Sequence, residues 1–354
     1  MTAATNLDFG AATEAITVAV TFASSIKDRT ILITGVNKLG IGYTTAQAFA
    51  SQAPECLILT GRSIAKVNEC IESLSSEYPS INICSLQLDL SSQKSVRAAA
   101  EEVLSWSDVP TIDLLINNAG VMNIPNRTLS EDGIEMHFAT NHIGHFLFTS
   151  LIMPKIIAAA KGKPPGSTRI INLTSIGAGL SALRVSDIEW VKPASQLPEK
   201  EKPNFVWMKA GMLDVNEDMS YIPMAAYGHS KAANILFSMG LNKHVYEKYG
   251  ILSLALHPGE IATELTRTTD PVWLEKAHKS LATRGLQWKT PQQGASTTLV
   301  AALDPKLGKP EKDGAGVYLS DCQIGTAPPH AVDSSDAEKL WEISEGLVKE
   351  KFSW

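Results

Sequence analysis

Short apolar runs alternate with amphipathic stretches along most of this chain. The runs at about 30–34, 56–60, 81–88, 112–117, 168–174, 251–257 and 315–319 have the length of strands, and helical patterns lie between them. That alternation predicts an α/β fold: a Rossmann-type, doubly wound parallel sheet of seven strands with helices on both faces. One domain is expected over residues 28–354, preceded by an N-terminal helical extension over 1–27. The apolar stretch Ala11 to Ile26 follows Asp8, contains Glu14 and lacks a basic start. It is shorter than the roughly 20 residues that cross a bilayer, so it predicts a helix packed on the domain and no integral membrane segment. Two segments interrupt the pattern: Lys161 to Gly166, and about 180–223.

Composition narrows the picture. The 354 residues are 44% hydrophobic and 19% charged with a net charge of −6. That is ample material for a core, with no basic excess, so nucleic acid is not an expected partner. Cys56, Cys70, Cys84 and Cys322 form no C-x-x-C pair and no metal spacing, so they read as ordinary thiols of a reducing, cytoplasmic compartment. Histidines 137, 142, 145, 229 and 257 lack the convergent spacing of a zinc site, so no metal is expected and they read as structural or solvent-facing.

Two local patterns carry chemistry. Thr30 to Gly35 is an apolar run followed by Val36-Asn37-Lys38-Leu39-Gly40-Ile41-Gly42 and a helical stretch from Tyr43 to Ser51. In a strand, glycine turn and helix of this kind, the backbone approaches a pyrophosphate closely and the helix N-terminus offers free amides. Further on, Tyr227 and Lys231 stand four apart, one turn of a helix. An ammonium beside a phenol favours the phenolate, which predicts a Tyr227 pKa drawn down from about 10 toward neutrality, where the group can exchange a proton with a carbonyl or alcohol.

These patterns occur in order with Leu88-Asp89-Leu90, Asn117-Asn118-Ala119-Gly120, Asn141, Ser175 and Pro258-Gly259, and from about residue 28 to the C-terminus the sequence resembles the short-chain dehydrogenase/reductase family. Asn141 to Phe146 and Gly316 to Cys322 are similar to its retinol-dehydrogenase-like branch, with a flavour of fungal members. The resemblance implies a catalytic set of Asn141, Ser175, Tyr227 and Lys231. Tyr227 would be the general acid/base, Lys231 would depress its pKa and hold the nicotinamide ribose, Ser175 would hold the substrate oxygen, and Asn141 would anchor a water chain to the lysine. It also implies cofactor contacts from Gly35, Gly40, Ile41 and Gly42. Asp89 and Leu90 would meet the adenine, Asn117, Ala119 and Gly120 the ribose side, and Pro258, Gly259, Ile261 and Thr263 the nicotinamide.

At the end of the second strand, Leu59-Thr60-Gly61-Arg62-Ser63 carries no carboxylate, and Arg62 suits the extra phosphate of NADP(H), with Lys38 as a second positive charge. The loop has four residues between Gly35 and Gly40 where the family has three. The interval from Ser175 to Tyr227 is also longer than the family's, and holds Trp190, Phe205, Trp207, Met208, Met212, Met219 and Tyr221. This insert is either a wall beside the substrate mouth, suited to an apolar or ring-shaped ligand, or a subdomain sealed onto the core. A substrate lid is expected over about 264–286. The implied activity is NADP(H)-dependent interconversion of a ketone or aldehyde and its alcohol on an apolar small molecule, in specialised metabolism by analogy with fungal relatives. Reduction of an imine or enone and a non-redox sensor or scaffold are the alternatives. A homodimer through the helices bearing Asn141 and Tyr227 is open, as is a monomer if the insert and C-terminal extension cover those faces.

Overall fold

The computed structural model describes residues 4, 6–211, 213–261, 265, 275, 288–314 and 316–354. Its strands are β1 Thr30–Ile33, β2 Cys56–Gly61, β3 Asn82–Gln87, β4 Leu114–Asn117, β5 Arg169–Leu173, β6 Leu252–His257, β7 Tyr318–Ser320 and β8 Gln323–Ile324. They form one sheet in the order β3-β2-β1-β4-β5-β6-β7-β8, parallel from β3 to β7. The five central strands β1, β2, β4, β5 and β6 are buried along their whole length, which is why they read as unbroken apolar runs rather than alternating ones.

The eighth strand corrects the expected seven. β8 pairs antiparallel with β7 through a two-residue turn at Asp321 and Cys322, both with left-handed φ (50° and 62°). Such turns match the twist of a hairpin but usually carry Asn-Gly or Asp-Gly, so Asp-Cys before a two-residue strand left no signal.

Helices cover both faces. On one side lie α1 Ala15–Thr21, α2 Ile41–Ala50, α3 Ile64–Glu77 and α8 Pro291–Leu303, sharing a core with β1 and β2. The N-terminal helix is thus shorter than the apolar stretch that announced it. It is followed by a single 3-10 turn at Ala23–Ser25, and Ala15, Val18, Ala19 and Phe22 bury against the domain. On the other side lie α4 Gln93–Ser105, α5 Met136–Ala160, α7 Pro223–Leu241 and α9 Ser334–Val348 around Phe138, Phe146, Phe237 and Trp341. α5 is long and apolar enough to cross a membrane, yet 78% of its most apolar window is buried inside the protein. The insert contains a short helix, α6 Phe205–Ala210, and a small core of its own around Trp190, Met208 and Val215.

Candidate active site

The strand order reverses between β1 and β4, and the crevice beyond their carboxyl ends is where ligands bind in sheets of this kind. A cleft of about 480 Å³ opens there. Its rim is shaped by glycine. Gly35 has φ +71°, and a Cβ on it would lie 2.6 Å from that of Ala119. The turn is tied to the exit of β4: Asn118 Nδ2 donates to the Thr34 (2.7 Å) and Gly35 (3.2 Å) carbonyls, and the Asn118 and Ala119 amides donate to Thr34 Oγ1. His145 Nδ1 donates to the Asn141 carbonyl, leaving Nε2 to accept from Thr34 Oγ1 at 2.8 Å, which locks α5 to the same junction.

Gly35, Gly40, Ile41, Arg62, Asp89, Leu90, Ala119, Gly120, Ser175, Tyr227, Lys231, Pro258, Gly259 and Ile261 all line this cleft. Four other expected site residues do not. Gly42 sits behind the turn, where a Cβ would strike Asn118 Nδ2 at 2.6 Å and the Gly35 carbonyl at 2.9 Å. Lys38 is exposed on the lengthened loop and forms none of the wall. Asn117 points into the layer beneath, donating to Asn172 Oδ1 (2.8 Å) and Thr149 Oγ1 (3.1 Å). Asn141 is buried in a π-helical turn of α5, Ala139–Ile143. Its amide grips the strand exit: Oδ1 accepts from Val121 N (2.8 Å), while Nδ2 donates to Val121 O (2.9 Å) and Ser230 Oγ (2.9 Å). Thr263 and most of the 264–286 lid lie outside the described residues; Leu265, from that span, lines the cleft.

At the catalytic end, Ser175 leaves β5 in extended conformation and its Oγ accepts from Gly177 N at 3.0 Å. α7 packs on this turn through Gly228, where a Cβ would lie 2.5 Å from the Gly177 carbonyl. Tyr227 therefore comes against Ser175, with which its phenol hydrogen-bonds. Lys231 Nζ lies 5.8 Å from the Tyr227 ring centre and donates to the Leu173 carbonyl at 3.0 Å. Both side chains are almost wholly buried, and desolvation disfavours either charge. Burial pushes Tyr227 up to about 12, with the Ser175 hydrogen bond pulling down and the Glu260 carboxylate adding to the rise, while burial pushes Lys231 down to about 8. The phenol is thus pushed up rather than drawn toward neutrality as its spacing from the lysine had suggested, because burial disfavours the phenolate.

Sequence reasoning missed Lys66, Glu260 and Trp288, which also line the cleft. Lys66 follows Arg62 by four residues as α3 begins, a spacing that could have flagged it. Trp288 and Glu260 come from separate loops and had no local signal. None of the five histidines faces solvent. Burial pushes His142 down to about 3 and His145, His229 and His257 to about 4, so these four stay neutral. His137 Nδ1 pairs with buried Glu135 at 2.8 Å, its Nε2 accepts from Ile124 N, and no metal-binding cluster occurs among the described residues. The insert divides its aromatic side chains: Trp190 is fully buried beneath Arg184, and Trp207 is partly exposed at a second cleft.

A short chain dehydrogenase family model matches residues 29–186. The chain is 36% identical over 338 residues to short-chain dehydrogenase TIC 32 A, chloroplastic, of Brassica napus, covering 93% of this chain and 92% of that one. It is 36% identical over 251 residues to oxidoreductase fscI of Fusarium equiseti, covering 71% and 94%. With retinol dehydrogenase 12 of Mus musculus it shares 31% over 319 residues, covering 90% and 86%. The NADPH-bound carbonyl reductase from chicken fatty liver shares the fold, with a TM-score of 0.54 at 24% identity over 83% of this chain and 96% of that one. A cleft at the β1/β4 reversal with Ser175, Tyr227 and Lys231 on one wall, together with these relatives, assigns the chain to the short-chain dehydrogenase/reductase family, in its retinol-dehydrogenase-like branch.

Proposed function

We propose that this protein is an NADP(H)-dependent oxidoreductase that interconverts a ketone or aldehyde and its alcohol on an apolar small molecule. The observation that carries the reading is a single cleft with Ser175, Tyr227 and Lys231 at one end and Arg62 and Lys66 at the other. The residues present fit a nicotinamide dinucleotide. A Cβ on Gly120 would stand 3.2 Å from Asn141 Oδ1 and 3.4 Å from Lys231 Nζ, so glycine keeps that part of the slot open. Arg62 offers a planar fork of donors for a ribose phosphate, Lys66 adds a second charge, and Ser63 caps α3 without using its hydroxyl there.

When bound, the cofactor supplies or accepts the hydride. The protein does the rest. The Ser175 hydroxyl holds the substrate oxygen, and the Tyr227 phenol, protonated throughout the neutral range, delivers its proton to that oxygen during reduction. Lys231, held by the Leu173 carbonyl, steadies the charge that appears on the phenol as the proton leaves. Asn141 holds Val121 and Ser230 in place from behind.

Purified protein incubated with NADPH and a panel of apolar ketones and aldehydes tests the reading. Turnover is expected, with its disappearance in Tyr227→Phe. Persistence of turnover in that variant would remove Tyr227 from its role. Arg62→Asp is expected to shift preference from NADPH toward NADH, and unchanged selectivity would refute the phosphate assignment.

A further inference from the structure

Just past Gly120, Val121 and Met122, which line the cleft, the chain turns through Asn123, whose φ of 53° is left-handed, to Ile124. Asparagine tolerates that conformation better than most residues. Both backbone groups of Ile124 are then taken by side chains from distant segments. Its N–H donates to His137 Nε2 at 3.2 Å, in the first turn of α5, and its carbonyl accepts from the Tyr221 hydroxyl at 3.0 Å, near the end of the insert. The Tyr221 ring meets that of Trp190 edge to face, centres 6.3 Å apart and planes at 84°, so the sealed core of the insert bears on the same point. Because His137 accepts through Nε2, its ring proton is on Nδ1, which donates to Glu135 Oε1 at 2.8 Å; Glu135 Oε2 accepts from Phe138 N at 3.0 Å. Glu135 and His137 are wholly buried. Burial alone would raise the Glu135 carboxyl, but the His137 and Phe138 hydrogen bonds outweigh it and hold the group below its ordinary value, so it remains a carboxylate. The imidazole also meets the Tyr227 ring, centres 6.3 Å apart and planes at 66°.

We infer that Glu135, His137 and Tyr221 are positioning residues that clamp Ile124 and so hold the cleft wall at Gly120, Val121 and Met122 in place beside Tyr227. The inference rests on the oxidoreductase reading above for the reaction that the clamp serves. Its first part is the tautomer. Moving the ring proton to Nε2 would set a lone pair on Nδ1 against the buried carboxylate and an N–H against the Ile124 amide, so Glu135 commits His137 to accepting from the loop. Its second part is the grip from two sides. With the amide of Ile124 held from α5 and its carbonyl held from the insert, the turn at Asn123 has no free end to swing on. Asn141 fixes Val121 from α5 as well, so the wall is fastened at both Val121 and Ile124. The insert thereby acts on the site through the Tyr221 hydroxyl, just ahead of α7 and its Tyr227.

The test is a double-mutant cycle of Glu135→Gln and His137→Gln in the full chain. The amide introduced at 135 can keep its oxygen on Phe138 N and turn its NH2 to His137 Nδ1, which drives the ring proton to Nε2. The amide introduced at 137 offers Ile124 a carbonyl oxygen and has no tautomer to fix. Nitrogen-15 shifts of the His137 ring, hydrogen exchange of the Ile124 amide and kcat for a ketone that the wild type reduces with NADPH are measured, and NADPH affinity reports that each variant is folded. Glu135→Gln is expected to move the ring proton to Nε2, to speed Ile124 exchange and to lower kcat, the last two about ten-fold or more, with NADPH affinity kept. His137→Gln is expected to keep most of both, and adding Glu135→Gln to it is expected to change little further. Tyr221→Phe is expected to speed the same exchange. A ring proton on Nε2 in the wild type, or unchanged Ile124 exchange in Glu135→Gln, overturns the clamp. Additive losses in the double variant overturn the action of Glu135 through the tautomer, and faster exchange with unchanged kcat overturns the positioning role. If the wild type reduces no ketone, the reductase reading fails, while the ring shifts and the exchange still decide the clamp.

Discussion

Tyr227 and Lys231 stand one helical turn apart, and desolvation acts on them in opposite directions. The phenol, at about 12, keeps its proton throughout the neutral range, so the proposed reduction has its donor there. The lysine is charged below its pKa and neutral above it. With that pKa near 8, its support for the departing proton is largely present at neutral pH and fades as pH rises through that value. We expect kcat/KM for ketone reduction to decline above a pH of about 8, and a profile flat well into the alkaline range would show that Lys231 keeps its charge in the loaded enzyme. Asn141 acts through other groups. In Asn141→Ala the partly buried Val121 amide loses its acceptor, at a cost of about 1 kcal/mol read from the urea midpoint. A loss near zero would mean that water replaces the side chain. The motif residues were legible because each sits next to its partners in sequence or in a family pattern. Lys38 and Lys66 are both exposed, and that only Lys66 borders the cleft was not distinguishable until the lengthened loop and the start of α3 were placed in space.

Among the elements, α7 and the turn after β5 set the reacting geometry together. Their backbones touch because Gly228 has no side chain. Gly228→Ala is expected to push the Ser175 turn away from Tyr227, with a loss in kcat on the order of 100-fold and little change in NADPH affinity. An unchanged kcat would show that the turn can yield at no cost. α9 has a different task. Its Trp341 lies 5.1 Å from Phe146 of α5 and 6.1 Å from Phe237 of α7, centre to centre, and stacks on His244 at 4.1 Å. Trp341→Ala is expected to cost about 3–5 kcal/mol, visible as an earlier urea midpoint. A shift of less than about 1 kcal/mol would mean the cluster closes over the gap. The amphipathic pattern announced α9 as a helix. That its tryptophan would bridge α5 and α7 was not readable, because that contact joins residues about 100 and 200 positions apart.

For the whole molecule, the C-terminal segment bears on assembly. α9 and the aromatic tail at Phe352 and Trp354 lie over the outer side of α5 and α7, the helices whose pairing a homodimer would use. Light scattering is therefore expected to return the mass of one chain; twice that mass at micromolar concentration would place the dimer on another face. The sequence by itself determined the succession of the seven parallel strands and the helices between them, and it marked Ser175, Tyr227 and Lys231 as candidates, because periodicity and short motifs are local properties of the chain. Only the tertiary structure decided which side chains face the cleft, how burial reverses the expected direction for the Tyr227 phenol, and that the insert splits into a sealed core at Trp190 and an open wall at Trp207. Those outcomes depend on what segments distant in sequence place around each group, and desolvation and packing are properties of that surrounding.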